Sequence, residues 1–145
     1  MGIANFARVL KIFGDSEPTE EERAQLCEEV MVMVLARATA ADLNISNVEI
    51  ETVREILLEK TGRELEASEI RVAANSELFE KAPLKRYVAS AARKLTESER
   101  RDIMDALAKV IHSDDRIGGR EIEFFDQIAE ALQFEPGQMR QLLDD

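Results

Sequence analysis

Apolar residues recur at spacings of three and four along almost the whole chain, and this periodicity constrains the fold more than any other feature. The stretch that carries Leu26, Val30, Val34 and Leu35 is one example. No segment of useful length alternates apolar and polar residues in the manner of a half-buried strand. The sequence therefore predicts an all-α protein, a compact bundle of about seven to eight helices.

Capping signals mark where these helices begin and end. In a capping box, a serine or threonine and a glutamate three residues later cap a helix start. Pairs with this spacing stand at three predicted helix starts: Thr19 with Glu22, Ser46 with Glu49, and Thr96 with Glu99. The first two of these helices are expected to run to about residue 41 and to Gly62, and the third to about His112. Other helices are expected at about 2–13, 67–80 and 83–95, after Gly119, and from Pro136.

Length and charge limit the domain organisation and the partners. The 145 residues suit one domain over 15–145, with an amphipathic N-terminal helix at 1–14 packed on or near it. The net charge of −11 disfavours nucleic acid and favours hard cations and basic partners. One cysteine and one histidine exclude an internal disulfide and a zinc finger. No apolar run is long enough to span a membrane, so we expect a cytoplasmic protein that does not bind membranes.

One acidic segment occurs twice. Residues 35–56 align without a gap on residues 107–128, with eight identities in twenty-two positions. The matched acidic residues are Asp42 with Asp114 and Glu49 with Glu121. The alignment predicts two related helix–acidic loop–helix units that pack against each other. We expect approximate two-fold symmetry that brings both loops, anchored by isoleucines, to a shared acidic region.

The duplicated pattern D-x-x-I-x-x-x-E, from Asp42 to Glu49 and from Asp114 to Glu121, resembles the TerB-like family, known from tellurite resistance and from the N-terminal region of certain DnaJ co-chaperones. The resemblance covers roughly residues 25–135. It implies a compact helical protein without enzymatic activity, associated with stress responses and with a divalent cation (calcium, magnesium or zinc) held by acidic loop residues. Carried over by motif, the metal ligands are Asp42, Glu49, Asp114 and Glu121.

The sequence departs from the family after each aspartate, where the family commonly has glycine. Leu43 stands there in the first loop and Asp115 in the second. Leucine resists the left-handed conformation that glycine permits, so the first loop is expected to turn differently. Arg116 brings a positive charge that would pair with a neighbouring aspartate and compete with a cation.

The alternative is a non-catalytic helical interaction module whose acidic loops are only structural helix caps. No glycine-framed nucleophile, phosphate loop or histidine cluster is present in the sequence, so we expect no enzyme activity. Residues 81–101 contain seven basic and two acidic residues. This segment, with Tyr87 in it, is most simply a solvated face, or else a docking surface for an unidentified protein partner or a second copy.

Overall fold

The computed structural model describes residues 18–39, 50–74, 84–112, 119–135 and 137–143. These residues form six α-helices and one 3-10 helix, without a strand among them. The α-helices are α1 (Glu20–Arg37), α2 (Ile50–Thr61), α3 (Ala67–Ala74), α4 (Leu84–Ala92), α5 (Glu97–Ile111) and α6 (Gly119–Ala131), and the 3-10 helix is Arg140–Leu143. The predicted all-α fold is confirmed, while the expected N-terminal helix at 2–13 lies outside the described residues.

Helices α1 and α5 form the centre of the bundle. Helix α1 packs against α2, α3, α4 and α5, and α5 packs against α1, α2, α6 and the 3-10 helix. The two central helices bury most of their apolar side chains, including Leu35 and Leu107, which are fully buried at matched positions of the repeat. Because hydrophobic burial is the main driving force of folding, the contact between α1 and α5 is the centre of the core.

Two of the predicted capping boxes are present as expected. The hydroxyl of Thr19 accepts a hydrogen bond from the backbone N–H of Glu22, and the carboxylate of Glu22 accepts one from the N–H of Thr19. Thr96 and Glu99 make the same reciprocal pair at the start of α5. Each box satisfies two helix-terminal N–H groups that have no intrahelical partner. The third predicted box, Ser46 with Glu49, lies outside the described residues.

Several helix ends differ from the sequence expectation. Helix α1 ends at Arg37, before a turn in which the N–H and the hydroxyl of Thr39 both donate to the carbonyl of Ala36. Helix α4 ends at Ala92 because i to i+3 hydrogen bonds at residues 94 and 95 tighten the chain into the capping box of α5. Gly119 is the first residue of α6, whereas the sequence suggested that it precedes the helix.

None of the helices within the described ranges is long and apolar enough to cross a membrane.

Candidate cation site

The predicted ligands lie where the paired helices join. Helix α1 ends at Arg37 and α2 begins, in the described residues, at Ile50. Helix α5 ends at Ile111 and α6 begins at Gly119. Three of the four predicted ligands, Asp42, Glu49 and Asp114, fall outside the described residues, and Glu121 falls inside them. The structure therefore gives the surroundings of the fourth ligand and the helix ends that lead to the others.

Glu121 is a buried carboxylate at the start of α6. It is the third residue of the helix and is only 4% exposed, which makes it the one charged residue classed as buried in the described part of the chain. It also takes part in an interaction within the chain. Burying an ionised carboxylate is costly unless nearby groups compensate it, and the first turn of a helix favours negative charge. Residue 121 is thus held in the core directly after the second acidic loop.

The first halves of α1 and α5 contact each other at Glu99. The thiol of Cys27 donates a hydrogen bond to the carbonyl oxygen of Glu99, with 3.6 Å between sulfur and oxygen. Nε of Arg23, one turn earlier in α1, lies 3.5 Å from the Glu99 carboxylate. Cys27 and Glu99 both lie before the repeated segments 35–56 and 107–128. Their contact therefore joins the first halves of the two central helices.

Contacts farther along these helices are made through the C-terminal end of α2. Lys60 forms an ion pair with Asp105 of α5. Arg63, which follows α2, is close enough to Glu29 of α1 to act on its charge. The C-terminal end of α2 therefore lies beside both central helices.

Matched apolar residues also have similar surroundings in the two units. Ile50 at the start of α2 and Ile122 near the start of α6 are both partly buried and packed against the core. Val53 and Phe125, one turn later, are both fully buried. Similar anchoring of α2 and α6 agrees with the predicted repeat. The anchoring expected of Ile45 and Ile117 lies outside the described residues.

The side chains of Cys27 and His112 both make hydrogen bonds within the chain. Cys27 is buried, and burial, reinforced by the charges of Glu99, Asp102 and Glu28, raises its pKa to about 12. Nε2 of His112, the C-cap residue of α5, lies 2.9 Å from the carbonyl oxygen of Leu142. Within the described ranges no three histidine, cysteine or acidic side chains cluster in a way that could hold a metal ion.

The interpretation of residues 81–101 as a docking strip that includes Tyr87 needs correction. Tyr87 is 3% exposed in α4 and belongs to the core. Burial raises the pKa of Tyr87 far above its usual range, and the nearby charge of Glu29 raises it further. The basic sequence around Tyr87 suggests an exposed segment, but the tyrosine ring lies on the packed side of the amphipathic helix α4.

Glu29 is a feature that sequence analysis did not single out. It lies in α1 beside Tyr87 and Arg63, and one of its carboxylate oxygens is buried without a hydrogen-bond partner among the described residues. Burial raises its pKa from 4.5 to about 7; Arg63 opposes this shift and Glu28 adds to it. The position of Glu29 next to apolar residues in a helical pattern could have indicated that it is partly buried. That position does not show which helix covers Glu29.

The structure thus defines a small helical protein built from two related hairpins whose matched helices pack together at the core. Comparison with family models shows that the chain belongs to the TerB family, described as tellurite resistance protein TerB, with the match covering residues 28–144. The sequence resemblance to this family is therefore confirmed. Searches of curated proteins and of solved structures found no match.

Proposed function

We propose that this TerB-family protein is a non-catalytic, stress-associated cytoplasmic protein of the tellurite-resistance type that binds a divalent cation through its two acidic loops. The ligands in this proposal are Asp42, Glu49, Asp114 and Glu121. The observation that carries it is the burial of Glu121 in the first turn of α6, next to the second loop. A cation beside this carboxylate would compensate part of the cost of burying its charge.

The arrangement of the central helices supports the use of both loops. Helices α1 and α5 pack against each other, and Asp42 and Asp114 follow these two helices in the chain. Carboxylates drawn from two such loops would repel one another without a cation between them. A shared cation would relieve that repulsion and link the two halves of the repeat.

The ligand chemistry favours calcium or magnesium over zinc. All four proposed ligands are carboxylates, and hard cations take oxygen ligands of this kind. Zinc would gain from a thiolate or an imidazole. Cys27 is buried with a raised pKa, and His112 is engaged with the carbonyl of Leu142, so neither is placed to serve it.

A thermal-shift measurement on chelator-treated full-length protein tests the proposal. A ligand that binds only the native state stabilises it by about 2.7 kcal/mol at a hundredfold excess over its Kd, so millimolar calcium or magnesium should raise Tm by several degrees. The rise should disappear in the double variant Asp42→Ala, Asp114→Ala and shrink in Glu121→Gln. Glu123→Gln, which changes an exposed carboxylate two residues later, should keep the full rise and serves as the control.

The competing explanation treats the acidic loops as helix caps alone. It predicts that calcium, magnesium and micromolar zinc leave Tm of the chelated wild-type protein unchanged, while Asp42→Ala and Asp114→Ala each lower it. That result would reject the cation site and leave the duplicated loop as a folding device.

A further inference from the structure

A surface groove lies between the outer side of α2 and the turn that leads to α3. Its volume is about 180 Å³. This is enough space for one aliphatic side chain. The groove is lined by Glu51, Arg54, Glu55, Leu58, Glu64 and Leu65. It involves none of the residues of the proposed cation site.

The apolar part of the groove is formed by Leu58 and Leu65. Leu58 is 49% exposed, and Val72 on α3 is the other large hydrophobic residue exposed among those described. Leu57, one residue earlier, is fully buried, so α2 presents one leucine to the core and the next to solvent. Leu65 is buried and also lines the groove. An apolar side chain placed over Leu58 would remove this surface from water.

Arg54 forms one wall and is fully engaged within the chain. Its Nε donates to the carbonyl oxygen of Leu65 at 2.6 Å, which holds the turn against α2. Its Nη1 donates to both carboxylate oxygens of Glu51, at 3.0 and 2.9 Å. The charge of Arg54 is therefore balanced mainly by Glu51, and it acts more weakly on Glu64.

Two further carboxylates lie on the rim of the groove. Glu55 and Glu64 are exposed, and neither forms an ion pair with another of the described residues. The groove thus combines an apolar floor with three carboxylates and one guanidinium, which give its lining a net charge of −2. A well-matched occupant must supply one apolar group and at least two cations.

We propose that this groove binds a short peptide segment of a partner protein in which an aliphatic residue is flanked on both sides by lysine or arginine. The aliphatic side chain covers Leu58, and the two basic side chains pair with Glu55 and Glu64. The same rim repels acidic peptides and anionic lipid surfaces. Complementary charge of this kind governs the choice of partner more than it raises affinity.

The test is an NMR titration of the uniformly ¹⁵N-labelled full chain with the peptide acetyl-Gly-Lys-Leu-Lys-Gly-amide, in chelator and low salt. The expected result is a saturable set of amide shifts confined to 51–65, with a millimolar Kd that rises with salt. Glu55→Gln and Glu64→Gln should each raise Kd about threefold, the effect of losing one exposed ion pair. Leu58→Ser should abolish saturation, whereas the matched variant Val72→Ser should leave Kd unchanged.

Two further peptides separate charge from apolar contact. The versions with glutamate in place of lysine, and with serine in place of leucine, should both fail to saturate. Binding of either control peptide as tight as that of the original peptide would overturn the proposal, and so would loss of binding in Val72→Ser as well as Leu58→Ser.

If the protein without peptide instead diffuses more slowly as its concentration rises, and Leu58→Ser restores monomer diffusion, the occupant is a second copy and the partner-peptide proposal is wrong. Because chelator is present throughout, the result does not depend on the cation proposal.

Discussion

The thiol of Cys27 in α1 donates a hydrogen bond to the backbone carbonyl of Glu99, seventy-two residues later in α5. The carboxylate of Glu99 also accepts from the N–H of Thr96 and lies near Arg23. One residue therefore joins the start of α5 to the first half of α1. Disturbing this contact should affect the centre of the bundle rather than one loop.

Native Cys27 should react very slowly with thiol reagents. Burial raises its pKa to about 12, so at pH 8 its thiolate fraction should fall about a thousandfold relative to a free cysteine. Labelling with a disulfide reagent at pH 8, followed by absorbance, should be slow in buffer and complete within minutes in concentrated urea. Labelling that is equally fast in both solutions would show that the thiol is accessible in the native protein.

The raised pKa of Glu29 should make stability depend on pH. Because the carboxyl has a pKa near 7 when folded and about 4.5 as an ordinary glutamate, the native state binds more protons than the unfolded state between these values. The contribution of Glu29 to stability therefore falls as pH rises from about 4.5 to about 7. Replacing it with glutamine should remove that loss.

We expect Glu29→Gln to stabilise the protein at pH 8 by about 1 to 2 kcal/mol, after allowing for solvent screening of this partly exposed group. The gain should be much smaller at pH 5. Urea unfolding at both pH values measures it, with Glu123→Gln as an exposed-carboxylate control. A gain of equal size at both pH values would show that titration of Glu29 is not its cause.

The capping box at the start of α5 should contribute measurably to the free energy of unfolding. Thr96→Ala removes the hydroxyl that accepts from the N–H of Glu99 at 3.2 Å, and loss of such a cap costs about 1 kcal/mol. Ser98→Ala changes an exposed hydroxyl two residues later and should cost less than about 0.5 kcal/mol. The comparison is made by urea unfolding at pH 7. Equal losses in the two variants would mean that the box does not stabilise α5.

Local chemistry explains why parts of this fold could be predicted from sequence. The Thr96 and Glu99 box depends only on residues three apart, and the paired burial of Leu35 and Leu107 follows from the repeat. Both features are determined by helical geometry and spacing. The family resemblance depends on the same short-range pattern, so it too was accessible before the structure.

Features that depend on distant packing could not be predicted in this way. Leu57 and Leu58 are adjacent, and the periodicity of α2 does not decide which of them faces solvent. The pKa of Glu29 depends on distant packing, because burial in the bundle raises it and Arg63, which follows α2, opposes that shift. Tyr87 was misplaced for the same reason, because a basic segment of sequence does not show which side of its helix is covered.

Changes at two left-handed helix ends should alter stability in opposite directions. Gly62 follows α2 with φ of +75°, and Gln133 follows α6 with φ of +70°. The N–H groups of Gln133 and Phe134 donate to the carbonyls of Glu130 and Ala129, the hydrogen-bond pair of a Schellman motif, whose left-handed position usually holds glycine. Gln133→Gly should therefore raise the free energy of unfolding by about 0.5 to 1 kcal/mol, since relief of the left-handed strain exceeds the added flexibility of the unfolded chain.

Gly62→Ala should lower the free energy of unfolding by about 1 kcal/mol through backbone strain alone, because an added Cβ would meet no atom within 4 Å. Urea unfolding of both variants and of the exposed control Ser98→Ala measures these changes, and a loss of stability in Gln133→Gly would mean that the glutamine side chain contributes more than its backbone strain costs.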